Sequence, residues 1–200
     1  MAAEEEKKKK KEKLGWQKNT VLYVHDLMYL LVIVMLTFLM VFRIIVVSGD
    51  SMKQTLLDGD YLLLLSNTFY HEPEQGDIVV ISKESFDNGT PIVKRVIATE
   101  GQTVDIDFAL GVVYVDGEAL EEDYINARTT VEEGNRVPLT VAEGCIFVMG
   151  DNRGVSRDSR DPAIGQIDKR EVLGKAIFLM YPGTDGGERA RDFDRIGAVQ

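Results

Sequence analysis

The sequence predicts a mostly β protein with one N-terminal transmembrane helix, and two observations support this fold class. The first is an apolar run over residues 27–47 whose only charged residue is Arg43. As an α-helix this run would span roughly 31 Å, enough to cross the hydrocarbon core of a bilayer. The second is that the chain after Ser51 consists of short apolar runs separated by turn residues, with no long helical period.

The charge distribution predicts how the chain lies across a membrane. Residues 1–20 carry seven lysines and four glutamates, whereas the remaining residues carry 16 basic and 29 acidic groups. Because positive residues stay on the cytoplasmic side, we expect residues 1–26 to be a solvated cytoplasmic tail and 27–47 a single transmembrane helix. Residues 48–200 would then form an extracellular domain at the cell membrane. Arg43, near the outer end of this helix, would extend its side chain to the interface.

A cleaved signal peptide is the alternative interpretation of the apolar run. It would need a shorter apolar core followed by a small-x-small cleavage site, and residues 46–51 match such a site only in part. Cleavage there would also release the outer domain from its anchor. We therefore favour a retained anchor.

Composition argues against several classes of site in the outer domain. A strongly acidic domain is a poor candidate for binding nucleic acid, which needs a basic face. Cys145 is the only cysteine, so no intrachain disulfide is possible. His25 and His71 lie far apart and in no ligand-spaced cluster. We predict neither a metal site nor a cofactor.

The apolar runs of the outer domain are interrupted by turn signals such as residues 58–60 (Asp-Gly-Asp), 87–89 (Asp-Asn-Gly) and 116–117 (Asp-Gly). Residues 118–138 are acidic and loop-rich, and the Gly- and charge-rich residues 183–200 are predicted to be a mobile tail. The predicted strands are residues 61–65, 77–82, 92–98, 103–107, 112–115, 145–149 and 173–180.

Four short polar patterns follow one another along this domain. Residues 46–56 read VVSGDSMKQTL and place Ser51 just past the apolar run. Residues 76–79 read GDIV, residues 94–98 read KRVIA, and residues 150–160 read GDNRGVSRDSR. Each pattern taken alone is typical of an ordinary turn or of a solvated strand edge, since such residues are common there.

Together the four patterns resemble those of the type I signal peptidases, serine/lysine proteases that cut signal peptides from exported proteins. The family reads S-M-x-P-T-L, G-D-(I/V)-V, K-R-(V/I) and G-D-N-R-x-x-S-x-D-S-R in this order. Every fixed position of the last pattern matches, and the one departure in the first is Gln54 in place of proline. The resemblance covers roughly residues 43–180. It implies a coiled, mainly antiparallel β-sheet catalytic domain, with a small cap region about 103–144.

The resemblance also implies a chemistry and a substrate. Ser51 would be the nucleophile and Lys94 the general base, on signal peptides of secreted preproteins that carry small residues before the cut. A lysine acts as a base only when neutral, so burial must lower its pKa from the usual ~10.4. Ser156 would orient the lysine amine through a hydrogen bond. The Ser51 N–H would be the first oxyanion donor, and Gly49 stands where some members carry a second one.

Five further residues receive supporting roles from the same resemblance. Asp158 and Arg160 would form an ion pair, and Asp151 would pair with Arg95 beside the base. Met52 would form part of the wall of a shallow substrate pocket. The charged groups among them would hold the reacting side chains in place.

Two other functions fit parts of the sequence. A self-cleaving repressor of the related serine/lysine kind would be cytosolic and carry a DNA-binding domain, which the apolar run and the acidic domain argue against. A catalytically silent, membrane-anchored assembly factor of the same fold should have lost Ser51 or Lys94, and the sequence keeps both.

Overall fold

The apolar N-terminal segment is helical in the computed structural model, which describes the backbone of residues 2–199 and the side chains of residues 5, 16 and 19–199. The chain divides into two units, Met1–Val41 and Phe42–Gln200. The first unit is one helix, α1 (Ala2–Val41). Its segment Asn19–Val41, with a mean hydropathy of 2.2, is long and apolar enough to cross a membrane. The backbone is thus already helical over most of the predicted tail, while the side chains of residues 7–11 lie outside the described residues.

The predicted position of the outer end of the transmembrane helix is wrong. The helix ends at Val41 rather than at residue 47, and the next five residues form a strand, β1 (Phe42–Val46). An Ile-Ile-Val sequence is apolar enough for a membrane helix, but its β-branched side chains also favour a strand. Here the strand prevails because it pairs with residues 61–65. Arg43 therefore lies exposed on a strand and not on the helix.

The described part of the second unit contains twelve strands, five of which the sequence analysis missed. Four of these five are only two residues long, too short for a hydrophobic period to show. The strands after β1 are β2 (Tyr61–Ser66), β3 (Ile78–Ile81), β4 (Ile92–Thr99), β5 (Thr103–Asp107), β6 (Val112–Val115), β7 (Glu118–Ala119), β8 (Leu139–Thr140), β9 (Cys145–Met149), β10 (Ile167–Asp168), β11 (Val172–Tyr181) and β12 (Gly197–Ala198).

The strands form two sheets, and the predicted mostly β, mainly antiparallel architecture is confirmed. The larger has the order β1-β2-β11-β3-β4-β9-β10, with β12 beside β11, and all its pairs are antiparallel. The smaller has the order β7-β6-β5-β8 and lies within residues 103–140, inside the interval where the sequence predicts a cap region. Val104 and Val113 of the small sheet pack with Ile97 and Phe147 of the large one, so a common core joins the sheets.

The C-terminal residues, which the sequence predicts to be a mobile tail, pair with the large sheet and form an ion pair with a buried carboxylate in the structure. Strand β12 pairs with β11, with Ala198 opposite Phe178. The Arg195 guanidinium donates to both carboxylate oxygens of Asp60, at 3.0 and 2.7 Å. Composition alone does not reveal this order, because the two charges that meet are 135 residues apart in the chain.

Candidate active site

Ser51 lies on a long turn, residues 48–60, which connects β1 to β2 and which we call the Ser51 turn. Two hydrogen bonds close its base: the Val47 N–H donates to the Asp60 carbonyl at 2.8 Å, and the Gly59 N–H donates to the Val47 carbonyl at 2.9 Å. Gly49 has a φ of 87°, a left-handed conformation that glycine adopts without steric cost. The change of chain direction at Gly49 places a half-buried Ser51 just beyond the last residues of β1.

Lys94 meets this serine from strand β4. Its side-chain nitrogen lies 2.8 Å from Ser51 Oγ and 3.0 Å from the Val93 carbonyl oxygen. As an ammonium group it donates to both oxygens, whereas the neutral amine offers a lone pair that can accept the serine proton. This is the contact that a serine nucleophile and its base require.

The surroundings of Lys94 favour the neutral amine. The side chain is only 3% exposed, and burial lowers its pKa from 10.5 to about 8. The charges of Asp158, Glu133 and Asp151 oppose this shift by favouring the ammonium form. Burial is the larger effect, so an appreciable fraction of the amine is unprotonated near neutral pH.

The residue after the base is held by a buried ion pair. Arg95 donates from Nε and Nη2 to the two carboxylate oxygens of Asp151 at 2.9 and 2.8 Å, with both side chains almost fully buried. Thr55 Oγ1, on the Ser51 turn, donates to the same carboxylate at 2.5 Å. The ring of Tyr124 lies 3.9 Å from the centre of the guanidinium. The pair thereby connects β4, the Ser51 turn and the loop after β9.

The loop of residues 150–160 also contacts the Ser51 turn directly. The Asn152 N–H donates to the Ser51 carbonyl at 3.0 Å, and Asn152 Nδ2 donates to the Asp50 carbonyl at 3.0 Å. Gly150 lies so close that a Cβ atom there would stand 2.5 Å from the Ser51 carbonyl oxygen. A residue without a side chain is therefore needed at this position.

Asp158 and Arg160 stabilise the loop from inside. Arg160 Nε and Nη2 donate to the two oxygens of Asp158 at 2.8 and 2.9 Å, and the Gly150 N–H donates to Asp158 at 3.0 Å. Glu133 lies 3.0 Å from the same guanidinium. Burial first, and then repulsion from Asp158, raises the pKa of Glu133 to about 7.

Ser156 does not make the predicted hydrogen bond to the lysine amine. Its side chain is 2% exposed, and its hydroxyl finds no partner among the described residues. The Lys94 amine instead contacts Ser51 and the Val93 carbonyl. The hydroxyl nevertheless lies beside the site, because a Cβ atom on Gly150 would stand 2.2 Å from it.

Met52 does not form a wall of the predicted substrate pocket either. It is 1% exposed and packs in the main core with Leu56 and Leu62 under the Ser51 turn. An apolar residue next to the serine can point outward or inward, and the turn directs this one inward. The open cleft beside the serine has a volume of about 370 Å³ and is lined by Ser51, Lys94 and residues 45–48 and 90–93.

Four residues join the site without having been assigned a role from the sequence. Thr55 and Asn152 stand in the recognised patterns, so their position was a usable signal. Tyr124 and Glu133 lie in the loop-rich residues 118–138, where neither period nor motif singles them out. They reach the site only because residues 118–138 fold back onto it, where Tyr124 meets Arg95 of β4 and Glu133 meets Arg160.

Comparison with known proteins gives one consistent result. A family model described as signal peptidase, peptidase S26, matches residues 20–181. A probable signal peptidase I-1 of Synechocystis sp. is 36% identical over 149 residues, covering 71% of this chain and 72% of the relative. Signal peptidase I of Bacillus licheniformis is 33% identical over 180 residues, covering 86% and 94%. A crystal structure of a signal peptidase I from Enterococcus faecalis is 32% identical, with a TM-score of 0.42 over 52% of this chain and 96% of that one.

Proposed function

The chain belongs to the peptidase S26 family of signal peptidases, and from this membership we propose that Ser51 and Lys94 carry out its peptide-bond cleavage. The observation that carries the proposal is the 2.8 Å contact between Lys94 Nζ and Ser51 Oγ, made by an amine that is almost fully buried. The substrates are signal peptides at the N-termini of exported preproteins. The alternative of a catalytically silent assembly factor is not favoured.

The chemistry follows from these two side chains. Ser51 Oγ attacks the carbonyl carbon of the scissile bond while the neutral Lys94 amine takes the serine proton. The resulting ammonium gives that proton to the leaving amine, and an acyl-enzyme ester remains on Ser51. Water then attacks the ester, with Lys94 again taking a proton. The Ser51 N–H donates to no group in the described part of the chain and serves as the first oxyanion donor.

The cleft beside Ser51 supports a substrate with small apolar side chains. Its volume of about 370 Å³ is modest, and its apolar lining residues are Ile45, Val46, Val47, Pro91, Ile92 and Val93. A shallow apolar cleft selects small side chains, because a larger side chain would clash with its walls before it could be buried. We assign this cleft to the residues just before the cut.

The N-terminal helix provides the location. We propose that residues 1–18 are cytoplasmic, that Asn19–Val41 crosses the cell membrane, and that the catalytic domain lies outside the cell in contact with lipid. The excess of lysine over glutamate in residues 1–20 supports this orientation. Anchoring confines enzyme and membrane-held substrate to one surface, which raises their effective concentration.

Cleavage of a preprotein by the full-length protein in detergent tests the assignment. Ser51→Ala and Lys94→Ala are each expected to lower cleavage to the no-enzyme level while the protein stays folded. Ser85→Ala and Lys169→Ala replace an exposed serine and a lysine whose partners Glu72 and Glu100 are exposed, both outside the site, and are expected to cleave like the wild type. Substantial cleavage by either site variant would exclude Ser51 and Lys94 as the reacting pair.

A further inference from the structure

Asp60, at the end of the Ser51 turn, is the point where the C-terminal residues attach to the site. It is fully buried, and it accepts hydrogen bonds from the Leu57 N–H at 2.8 Å and the Gly183 N–H at 2.6 Å. Arg195 adds a bidentate ion pair at 3.0 and 2.7 Å. One buried carboxylate thereby joins the turn to both ends of residues 183–195, which we call the C-terminal segment.

A second set of contacts reaches closer to the serine. Arg195 Nη2 donates to the Thr55 carbonyl at 3.2 Å, and the hydroxyl of Thr55 is the group that donates to Asp151 at 2.5 Å. Asp151 pairs with Arg95, the residue next to Lys94. A continuous path of hydrogen bonds therefore runs from the C-terminal segment, through the turn, to the strand that carries the base.

Two further contacts fix the same part of the turn. Lys53, two residues after the serine, lies 3.0 Å from the buried carboxylate of Asp185. Gly183 packs against the turn so closely that a Cβ atom on it would stand 2.2 Å from the Asp58 carbonyl oxygen. The C-terminal segment thus contacts the turn on both sides of Gln54.

Gln54 explains why the turn needs outside support. Its φ is 92°, a left-handed conformation that is sterically costly for a residue with a side chain. The family pattern has proline at this position, which fixes φ near −65° and would stiffen the turn by itself. This chain lacks that restraint, and its backbone adopts a conformation that proline cannot. Such a strained residue persists only where its surroundings hold it.

We infer that the C-terminal segment positions the Ser51 turn for catalysis and acts through Arg195. The inference rests on the proposed function, since it takes Ser51 as the nucleophile. Arg195 touches neither substrate nor the reacting atoms, and is a positioning residue. Its loss would let the turn relax around Gln54 and move the serine hydroxyl away from the Lys94 amine. A displacement of about 1 Å of a reacting group can lower a rate about 100-fold.

The test measures kcat and KM of the full-length protein in detergent on a signal-peptide substrate, at a temperature where circular dichroism shows each variant folded. Arg195→Ala is expected to lower kcat at least tenfold and to change KM less than twofold, because the cleft residues are untouched. Arg195→Lys keeps a charge beside Asp60 and is expected to recover part of the rate. Arg191→Ala is the matched control, since Arg191 contacts the Pro182 carbonyl and Tyr181 rather than the turn.

A folded Arg195→Ala variant with the wild-type kcat would overturn the inference, because a purely structural role leaves the rate of folded molecules unchanged. Should Arg195→Ala not fold, Lys53→Met gives the answer, since Arg189 still lies 3.3 Å from the buried Asp185 carboxylate when the contact to Lys53 is removed. A several-fold lower kcat then supports the inference and an unchanged kcat contradicts it. The proposed function is tested separately in the same assay: it holds if the wild type cleaves and Ser51→Ala does not, whatever the result for the Arg195 and Lys53 variants.

Discussion

Gly150 and Ser51 approach each other so closely that their loops cannot accommodate a single additional carbon. A Cβ atom on Gly150 would stand 2.5 Å from the Ser51 carbonyl oxygen and 2.5 Å from the Ser156 Cβ. Atoms this close must shift, and the neighbours here are backbone and a buried side chain. The glycine therefore sets how near the loop of residues 150–160 lies to the nucleophile.

Gly150→Ala is expected to lower kcat/KM about 100-fold, because the Ser51 turn must move away from β4. Gly154→Ala is the matched control in the same loop, since a Cβ atom there would meet none of the described residues within 4 Å. The measurement is preprotein cleavage by folded protein. Equal activity of the two variants would show that the close approach is not needed.

Ser156→Ala is expected to separate stability from activity. The buried hydroxyl has no hydrogen-bond partner among the described residues, and such a group costs about 1–3 kcal/mol. Its removal should therefore leave the unfolding midpoint unchanged or raise it. We expect kcat to fall, because the hydroxyl would contact the lysine amine during the reaction. Urea unfolding and cleavage kinetics of the same preparation check both parts. Unchanged kcat would exclude a role for this hydroxyl in the reaction.

Gln54→Pro brings the turn to the family pattern and is nevertheless expected to be harmful. Proline requires φ near −65°, whereas the backbone here has φ of 92°. Forcing the change should lower the free energy of unfolding by more than about 1 kcal/mol and abolish most of the activity. Gln54→Gly, which tolerates positive φ, is the control and is expected to retain activity. A fully active proline variant would show that the turn can adopt another conformation.

The sequence reveals the parts of this site that depend on neighbours in the chain. The Arg95–Asp151 pair joins residues that are 56 apart, and only the family resemblance predicts it. The last pattern places Asp158 two residues before Arg160, and the structure contains this ion pair. The long strands are also visible, because their apolar runs are separated by turn residues. These features depend on local residue order, which a sequence displays directly.

The remaining features depend on contacts between distant segments. Whether residues 42–46 continue the helix or form a strand is decided by pairing with β2, and an apolar run is compatible with both. Met52 is directed inward by the turn, and the C-terminal residues are ordered by the Arg195–Asp60 pair. No periodicity or short motif encodes such pairings.

Glu133→Gln is expected to move the pH profile of the enzyme. Activity should rise with pH as Lys94 loses its proton, and its pKa is about 8. The negative charge of Glu133 raises the pKa of Lys94, so its removal should shift this limb of kcat/KM to lower pH. The glutamine can still accept from Arg160. Glu132→Gln removes an exposed charge next to it and serves as control. Coincident profiles for both variants and the wild type would contradict the electrostatic coupling.

Lys94→Met is expected to abolish cleavage and yet to stabilise the fold in a pH-dependent way. The pKa of Lys94 is lowered from 10.5 in the unfolded chain to about 8 in the folded one. Below pH 8 both states hold the proton, and the buried charge costs the folded state at most about 3 kcal/mol at 1.36 kcal/mol per pKa unit. Between pH 8 and 10.5 only the unfolded state holds it, so wild-type stability rises with pH across this window.

Methionine has a similar length and carries no charge, so the variant should lack this dependence. Its free energy of unfolding is expected to exceed that of the wild type at pH 7, and the difference should vanish by about pH 10.5. Urea unfolding of the full-length proteins in detergent, at pH 7, 9 and 10.5, measures the difference. Lys169→Met, whose ion-pair partners Glu72 and Glu100 are both exposed, controls for the loss of a lysine in general. A difference that does not change between pH 7 and 10.5 would mean that Lys94 keeps an ordinary pKa, and the case for a neutral lysine base would then fail.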